Sequence, residues 1–354
     1  MLKNSKCKVS NFMLMDKLEI FLITYNRASM LQKTLMQILD ENSPIKDFPI
    51  TILDNNSSDD TALIVQQYQS RYPNLRYKKN KYNIGGNANI VQAFYKASKE
   101  YVWVLADNDN YSWDAWEQVK QEINKQVDAI VVATYEHPKL DVAQLFLQTT
   151  FLPGVIYKTS NIDDTVMGNM EFNISNLFPH LALSAKLINE KKNIVILDKP
   201  IVIVGCNDDE TGNYVYTRGY EGFVHPLQKS MNWISGYANT LHLIKDDKIR
   251  NYIISHNSYC TELNSAKFFF YKDKAASRSL YNYLCVFAVL SWWDRLKFLI
   301  NYILSLTIYK IIFISHRKVF NKNSNEYVIQ FDLMLFGFIK TKLFRITKKI
   351  KGEN

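Results

Sequence analysis

The apolar run Tyr101-Val102-Trp103-Val104-Leu105-Ala106 stops at Asp107-Asn108-Asp109, and that junction constrains the fold more than any other feature of the chain. A buried strand that ends in two carboxylates one residue apart is costly, because close like charges repel and desolvated charge needs a partner. A divalent cation is the cheapest resolution, and hard ions such as Mg²⁺ or Mn²⁺ take oxygen ligands. An ion held by one or two carboxylates fills its remaining positions with water and substrate phosphates. A plain polar turn after a strand is the competing explanation, and the surroundings of the doublet decide between the two.

Residues 18–134 alternate between strand and helix patterns. Leu18–Ile23, Ile50–Leu53, Leu75–Lys78, Tyr101–Ala106 and Ala129–Ala133 read as strands. Leu31, Leu35, Ile38 and Leu39 recur at helical spacing, and Ile90, Phe94 and Ala97 do so within a helix predicted from Asn87 to Ser98. Ser58, followed by Asp59 and Asp60, reads as the N-cap of a helix reaching Tyr72. Ser112 reads as the cap of a helix carrying Trp116, Val119 and Ile123. Such alternation predicts an α/β domain with a largely parallel sheet.

Polar clusters follow the first four strands: Thr24-Tyr25-Asn26-Arg27, Asp54-Asn55-Asn56-Ser57, Asn83-Ile84-Gly85-Gly86 and Asp107-Asn108-Asp109. All four fall at carboxyl ends of strands, where an open α/β sheet forms its ligand crevice. The first turn has no glycine, so it lacks G-x-G-x-x-G, and no Walker A pattern occurs. An ordinary NAD or ATP fold is therefore disfavoured.

Over roughly residues 18–205 these motifs resemble the family 2 glycosyltransferases with the GT-A fold. Leu18–Arg27 looks like that family's opening strand and turn. Ile50–Asp59 looks like its second strand and acidic turn, with Asn55 where a second aspartate is frequent. Asn83–Asn89 is similar to its third motif, and Asp107-Asn108-Asp109 to its Asp-x-Asp. The resemblance implies an open, mostly parallel GT-A sheet flanked by helices, followed by a mainly helical C-terminal region. It implies a metal-dependent, inverting transfer of sugar from a nucleotide-diphosphate donor to an acceptor glycan, such as a surface polysaccharide or a lipid-linked oligosaccharide. Thr24, Tyr25, Asn26, Asp54 and Asn55 would line the nucleotide pocket, Asp107 would meet the ribose or support the metal, and Asp109 would ligate Mn²⁺ or Mg²⁺ directly.

Inverting transfer needs a general base beside the acceptor. Many members carry an acidic pair there, whereas this chain has Leu177-Phe178-Pro179-His180-Leu181. His180 is the candidate base, set against a packed or capping histidine, with Asp163, Asp164 and Glu171 as carboxylate alternatives. His225 is a candidate late metal ligand, and residues 207–213 read as a polar loop able to order over donor.

The domain organisation expected is an N-terminal extension over 1–17, a nucleotide-sugar-binding and catalytic domain over 18–227, and a helical, basic, membrane-associating region over 228–354. Nearly all of the formal net charge of +9 falls in two tail segments, 291–320 and 331–354, among aliphatic and aromatic residues. This pattern predicts attraction to an anionic membrane surface and a peripheral position at the cytoplasmic face, not nucleic-acid binding. The run Phe298–Tyr309, broken at Lys310, reads as an interfacial or buried amphipathic helix more readily than a spanning one. Phe12–Met15 is too short for a signal-peptide core, and Cys7, Cys206, Cys260 and Cys285 show no metal or disulfide spacing. Two other readings stand beside the transferase: a membrane-docked, non-catalytic sugar-nucleotide-binding module, and a haloacid-dehalogenase-type phosphatase. The latter wants its Asp-x-Asp on the first strand.

Overall fold

The computed structural model describes residues 14–133, 141–174, 178–205, 233–256, 287–290, 292, 295, 296, 298–300 and 303. Its contacts divide the chain into two units: Met1–Val224 with Leu243–Asp246, and His225–His242 with Asp247–Asn354.

The first unit is built on a seven-stranded sheet. In chain order its elements are β1 (Leu18–Thr24), α1 (Ala28–Ile38), β2 (Ile50–Asp54), α2 (Thr61–Gln69), β3 (Leu75–Lys79), α3 (Gly86–Lys96), β4 (Tyr101–Ala106), β5 (Asn110–Tyr111), α4 (Trp116–Asn124), β6 (Ala129–Val131), α5 (Val142–Gln148), β7 (Val155–Lys158), α6 (Asp164–Phe172), α7 (Leu181–Asn189), β8 (Ile194–Ile196) and β9 (Val202–Ile203). The sheet order is β3-β2-β1-β4-β7-β6-β8, and β5 pairs with β9 in a separate ribbon. Strands β1 to β4 run parallel to one another, while β7 runs antiparallel to both β4 and β6.

Alternation along each strand builds two cores, because successive side chains point to opposite faces. Ile20, Leu22, Tyr101, Trp103 and Leu105 join one cluster with α1 and α4 residues such as Leu31, Leu35, Trp116 and Val119. Phe21, Val102 and Val104 join the other, with Val91 and Phe94 of α3, Met170 of α6 and Leu183 of α7. Both faces are covered, so β4 and, beyond Glu19, β1 read as apolar runs rather than as alternating ones. Trp103, fully buried, satisfies its indole N–H on the Pro153 carbonyl at 2.7 Å and so ties β4 to the turn before β7.

Two local expectations are corrected. Ser58 does not cap α2: the helix starts at Thr61 and ends at Gln69, and the Asp59 carboxylate accepts from the Thr61 N–H instead. The second oxygen of Asp59 accepts from the Ala28 N–H at 2.9 Å, so one carboxylate serves the amino ends of two helices. Ser112 does not cap α4, which begins at Trp116, because Asn110 and Tyr111 are engaged as β5 against β9.

In the second unit the described residues form helices Trp233–Thr240 (α8) and Asp247–His256 (α9). Among the described residues no helix is long and apolar enough to cross a membrane. Most of 298–315, the whole of 207–213 and the closing basic run lie outside the described residues.

Candidate active site

The strand order reverses at β1: the chain moves outward to β2 and β3, then returns to place β4 on the other side. Such a switch point opens a crevice at the carboxyl ends of the two central strands. The register aligns Thr24 with Asp54, Asp54 with Lys79, and Ile23 with Ala106, so the four polar clusters share one edge of the sheet.

Across the switch point, the Thr24 hydroxyl donates to Oδ2 of Asp107 at 2.7 Å. Arg27, at the start of α1, donates Nη1 to Oδ1 of the same carboxylate at 3.0 Å. Asp107 is 2% exposed, and burial pushes its carboxyl up while Arg27 and Thr24 pull it back toward the charged form. The cation that makes the first aspartate tolerable is thus a side chain of this protein.

Asp109 is treated differently. Its Oδ1 accepts from the Gly205 N–H at 3.1 Å, whereas its Oδ2 is buried with no hydrogen-bond partner among the described residues. Burial first, and Asp107 second among the raising causes, push this carboxyl up to about 6, against the Gly205 hydrogen bond. The Tyr111 hydroxyl is also buried and without a partner among the described residues, and burial beside both aspartates raises it well above its ordinary range. Other buried side-chain atoms, Trp116 Nε1 and His180 Nδ1 among them, also lack a partner among the described residues, but Asp109 Oδ2 is the only carboxylate oxygen in that group.

The turn itself is fixed from three sides. Gln37 of α1 donates to the Asp109 carbonyl at 3.2 Å and accepts from the Tyr111 N–H at 3.1 Å. Pairing of β5 with β9 brings Gly205 against the doublet, where a Cβ would lie 1.6 Å from the Asn108 carbonyl oxygen. Only glycine allows that approach. Arg27, Gln37 and Gly205 are functional residues that sequence reasoning missed: their partners lie 80, 72 and 96 residues away in the chain.

The neighbouring loops form a second network. Asp54 is fully buried, and it accepts from the Ser57 N–H at 2.8 Å, the Ser57 hydroxyl at 2.6 Å and the Tyr77 hydroxyl. It shapes the loop from within. Asn55 is 2% exposed; it donates to Asn83 at 2.6 Å and accepts from Asn80 at 3.1 Å and the Ile84 N–H at 3.0 Å. Both ends of this amide are used, and a carboxylate would set two oxygens facing each other at Asn83. Asn26, at φ 50°, receives the Ser58 N–H on its side chain at 2.7 Å and gives its own N–H to Ser57 at 2.8 Å. Tyr25, Asn26 and Arg27 remain half-buried and line the opening.

His180 is not part of this cluster. It precedes α7 at 2% exposure, with Nε2 3.1 Å from the Thr150 carbonyl and its ring against Phe178. The carbonyl fixes the proton on Nε2, and burial pulls the ring down to about 4, so it is neutral and a weak base. Its Nδ1 is buried without a partner among the described residues. Asp163 caps α6 through the Val166 N–H and pairs with Lys186 at 2.6 Å, which uses both of its oxygens. His225 lies outside the described residues, and no cluster of three or more His, Cys, Asp or Glu residues able to hold a metal occurs among the described ones.

The comparisons with known proteins agree with this architecture. The family model described as Glycosyl transferase family 2 matches residues 19–185. A Campylobacter jejuni GalNAc(5)-diNAcBac-PP-undecaprenol beta-1,3-glucosyltransferase is 35% identical over 112 residues, 31% of this chain and 36% of that protein. Abequosyltransferase RfbV of Salmonella typhimurium is 26% identical over 106 residues, 30% of this chain and 32% of that protein. The chain therefore spans about a third of the length of these curated relatives. The crystal structure of S. aureus TarS 1-349 in complex with UDP-GlcNAc superposes with a TM-score of 0.54 at 16% identity, covering 83% of this chain and 91% of that one, a likeness of fold. A mostly parallel sheet with its acidic doublet at the switch point gives the chain a GT-A fold, and over residues 19–185 the chain is similar to glycosyl transferase family 2.

Proposed function

We propose that this protein transfers a sugar from a nucleoside-diphosphate donor to an acceptor glycan, with inversion and with the help of a divalent cation. The observation that carries the reading is Oδ2 of Asp109, a buried carboxylate oxygen without a partner among the described residues, one residue beyond an aspartate already paired with Arg27. A lone buried acceptor of that kind fits a hard cation such as Mn²⁺ or Mg²⁺. Asp109 holds the ion; Asp107 has both oxygens committed to Thr24 and Arg27 and acts by orienting that guanidinium. Bound there, the ion offsets the charge that develops on the departing diphosphate.

The chain's own groups do the remaining work in this reading. Arg27, 20% exposed at its side chain and anchored by one nitrogen, offers its other donors to phosphate oxygens. Tyr25 and Asn26 border the nucleoside, while Asp54 and Asn55 hold the loop that receives it rather than touching it. Sugar-nucleotide chemistry is supported by the names of the relatives and by the UDP-GlcNAc bound to the TarS structure. A lipid-linked or surface glycan acceptor is supported by the undecaprenol in the name of the Campylobacter protein.

The test is turnover of UDP-, GDP-, CMP- and dTDP-sugars with and without Mn²⁺. Cation-dependent release of nucleoside phosphate from one of these donors is expected, with an inverted anomeric centre in the product. Nucleotide binding with no turnover of any donor, or phosphate release from simple monoesters, would overturn the reading.

A further inference from the structure

The charge of the first unit is strongly polarised in one stretch. Between Asp60 and Glu100 there is no acidic residue, while Arg71, Arg76, Lys78, Lys79, Lys81, Lys96 and Lys99 all fall there. Arg76 and Lys78 lie exposed on β3, the edge strand, and Lys81 stands exposed in the loop that follows. None of these three is in an ion pair among the described residues. Basic side chains on an edge strand also prevent unwanted strand pairing, but that does not explain what accompanies them. Tyr82 is 64% exposed and Ile84 44%, with the Lys81 ammonium 5.2 Å from the centre of the Tyr82 ring.

This loop is held rigid from inside. The Asn80 N–H donates to the Asp54 carbonyl at 2.8 Å, the Ile84 N–H to Asn55 at 3.0 Å, and the Gly85 N–H to Asn83 at 2.9 Å. Asn80 also reaches Asn89 at 3.2 Å, and Asn89 the Leu53 carbonyl at 3.0 Å. Its polar groups are spent on the protein, and its apolar side chains are left facing water on a backbone that needs no further ordering.

We propose that the loop from Lys78 to Ile84 is a docking surface for an anionic lipid bilayer. Lysines supply long-range attraction to acidic headgroups, and Tyr82 and Ile84 enter the headgroup boundary, where amphipathic aromatic rings are favoured. A soluble polyanion explains the lysines but not the two exposed apolar residues. The loop leaves the same edge of the sheet as the donor crevice, since Asp54 is in register with Lys79. Docking there sets the crevice close to lipid-borne acceptors; that consequence, unlike the docking, rests on the transfer reading.

Vesicle flotation of the full chain tests the proposal, with phosphatidylcholine alone and mixed with phosphatidylglycerol. Wild type is expected to float with the anionic vesicles only. A Lys78→Glu/Lys81→Glu variant is expected to partition at least tenfold less, and a Tyr82→Ser variant severalfold less, both with unchanged melting. Each keeps the basic tail, so any contribution from it is common to all. Wild-type flotation unaffected by either variant, or no flotation at all, overturns the proposal. So does weakened dextran sulfate binding in the lysine variant alone while vesicle partitioning stays intact. Failure of nucleotide binding in wild type would strike the transfer reading and leave the docking result standing.

Discussion

At the carboxyl ends of β1 and β4, two carboxylates are buried beside one guanidinium and one oxygen is left without a partner among the described residues, whereas around β7 and α7 the fully buried polar groups are neutral, His180 Nδ1 also lacks a partner among the described residues, and the Asp163–Lys186 pair is half-exposed. Tyr157 and Ser184 share a hydrogen bond of 3.0 Å there, and His180 is held neutral against a carbonyl. Burial is similar in the two regions, and what differs is whether charge is retained. Retained charge costs stability unless a partner arrives, which is why the proposed ion is assigned to the first region. Left-handed backbone occurs at Asn26, Asn56 and Gly85 in loops of the first region, and also at Gln126 and at Lys191 after α7.

Breaking the charged region gives the largest effect. Arg27→Ala leaves Asp107 buried without its cation and is expected to cost about 3–5 kcal/mol in denaturant unfolding. Adding Asp107→Asn in the same chain should return much of that loss, since the charge is then gone. Gly205→Ala comes next: its methyl collides with the Asn108 carbonyl, and displacing the turn is expected to cost about 3 kcal/mol. It should also weaken nucleotide binding at least tenfold.

The neutral region responds to acid instead. His180 ordinarily titrates near 6.5 and is held down to about 4 by burial. A depressed histidine contributes stability that is complete above 6.5 and is lost as pH falls toward 4, because only the unfolded chain takes up the proton. At about 1.4 kcal/mol per pH unit, the loss approaches about 3 kcal/mol at pH 4, and urea titrations of His180→Gln should show that slope flattened. Tyr157→Phe sharpens the contrast at the small end. It removes one neutral hydrogen bond and is expected to cost about 1 kcal/mol in the same assay.

The two regions were also unequally legible in the sequence. Strands β1, β2 and β4 and their polar ends were readable because each is a mainly apolar run with one connecting helix, and the parallel arrangement follows from that alternation. The doublet was visible; its counter-ion was not, because Arg27 meets Asp107 across 80 residues and nothing local signals the pairing. Gly205 gave no sign beyond being a glycine. In the second region Val155–Lys158 is four residues long, and so short a run carries no information on direction or on place in the sheet. The histidine before α7 looked like a base because its residue type and position suited one, and only burial distinguishes that from packing.

The central claim is that Asp109 holds a divalent ion together with a nucleoside diphosphate. The most direct measurement is the melting temperature of wild type and Asp109→Asn with UDP, GDP, CMP and dTDP, each with and without Mn²⁺. The account expects wild type to show a nucleotide-dependent rise that Mn²⁺ enlarges, and Asp109→Asn to lose the Mn²⁺ increment while still folding. An increment of the same size in Asp109→Asn would contradict it.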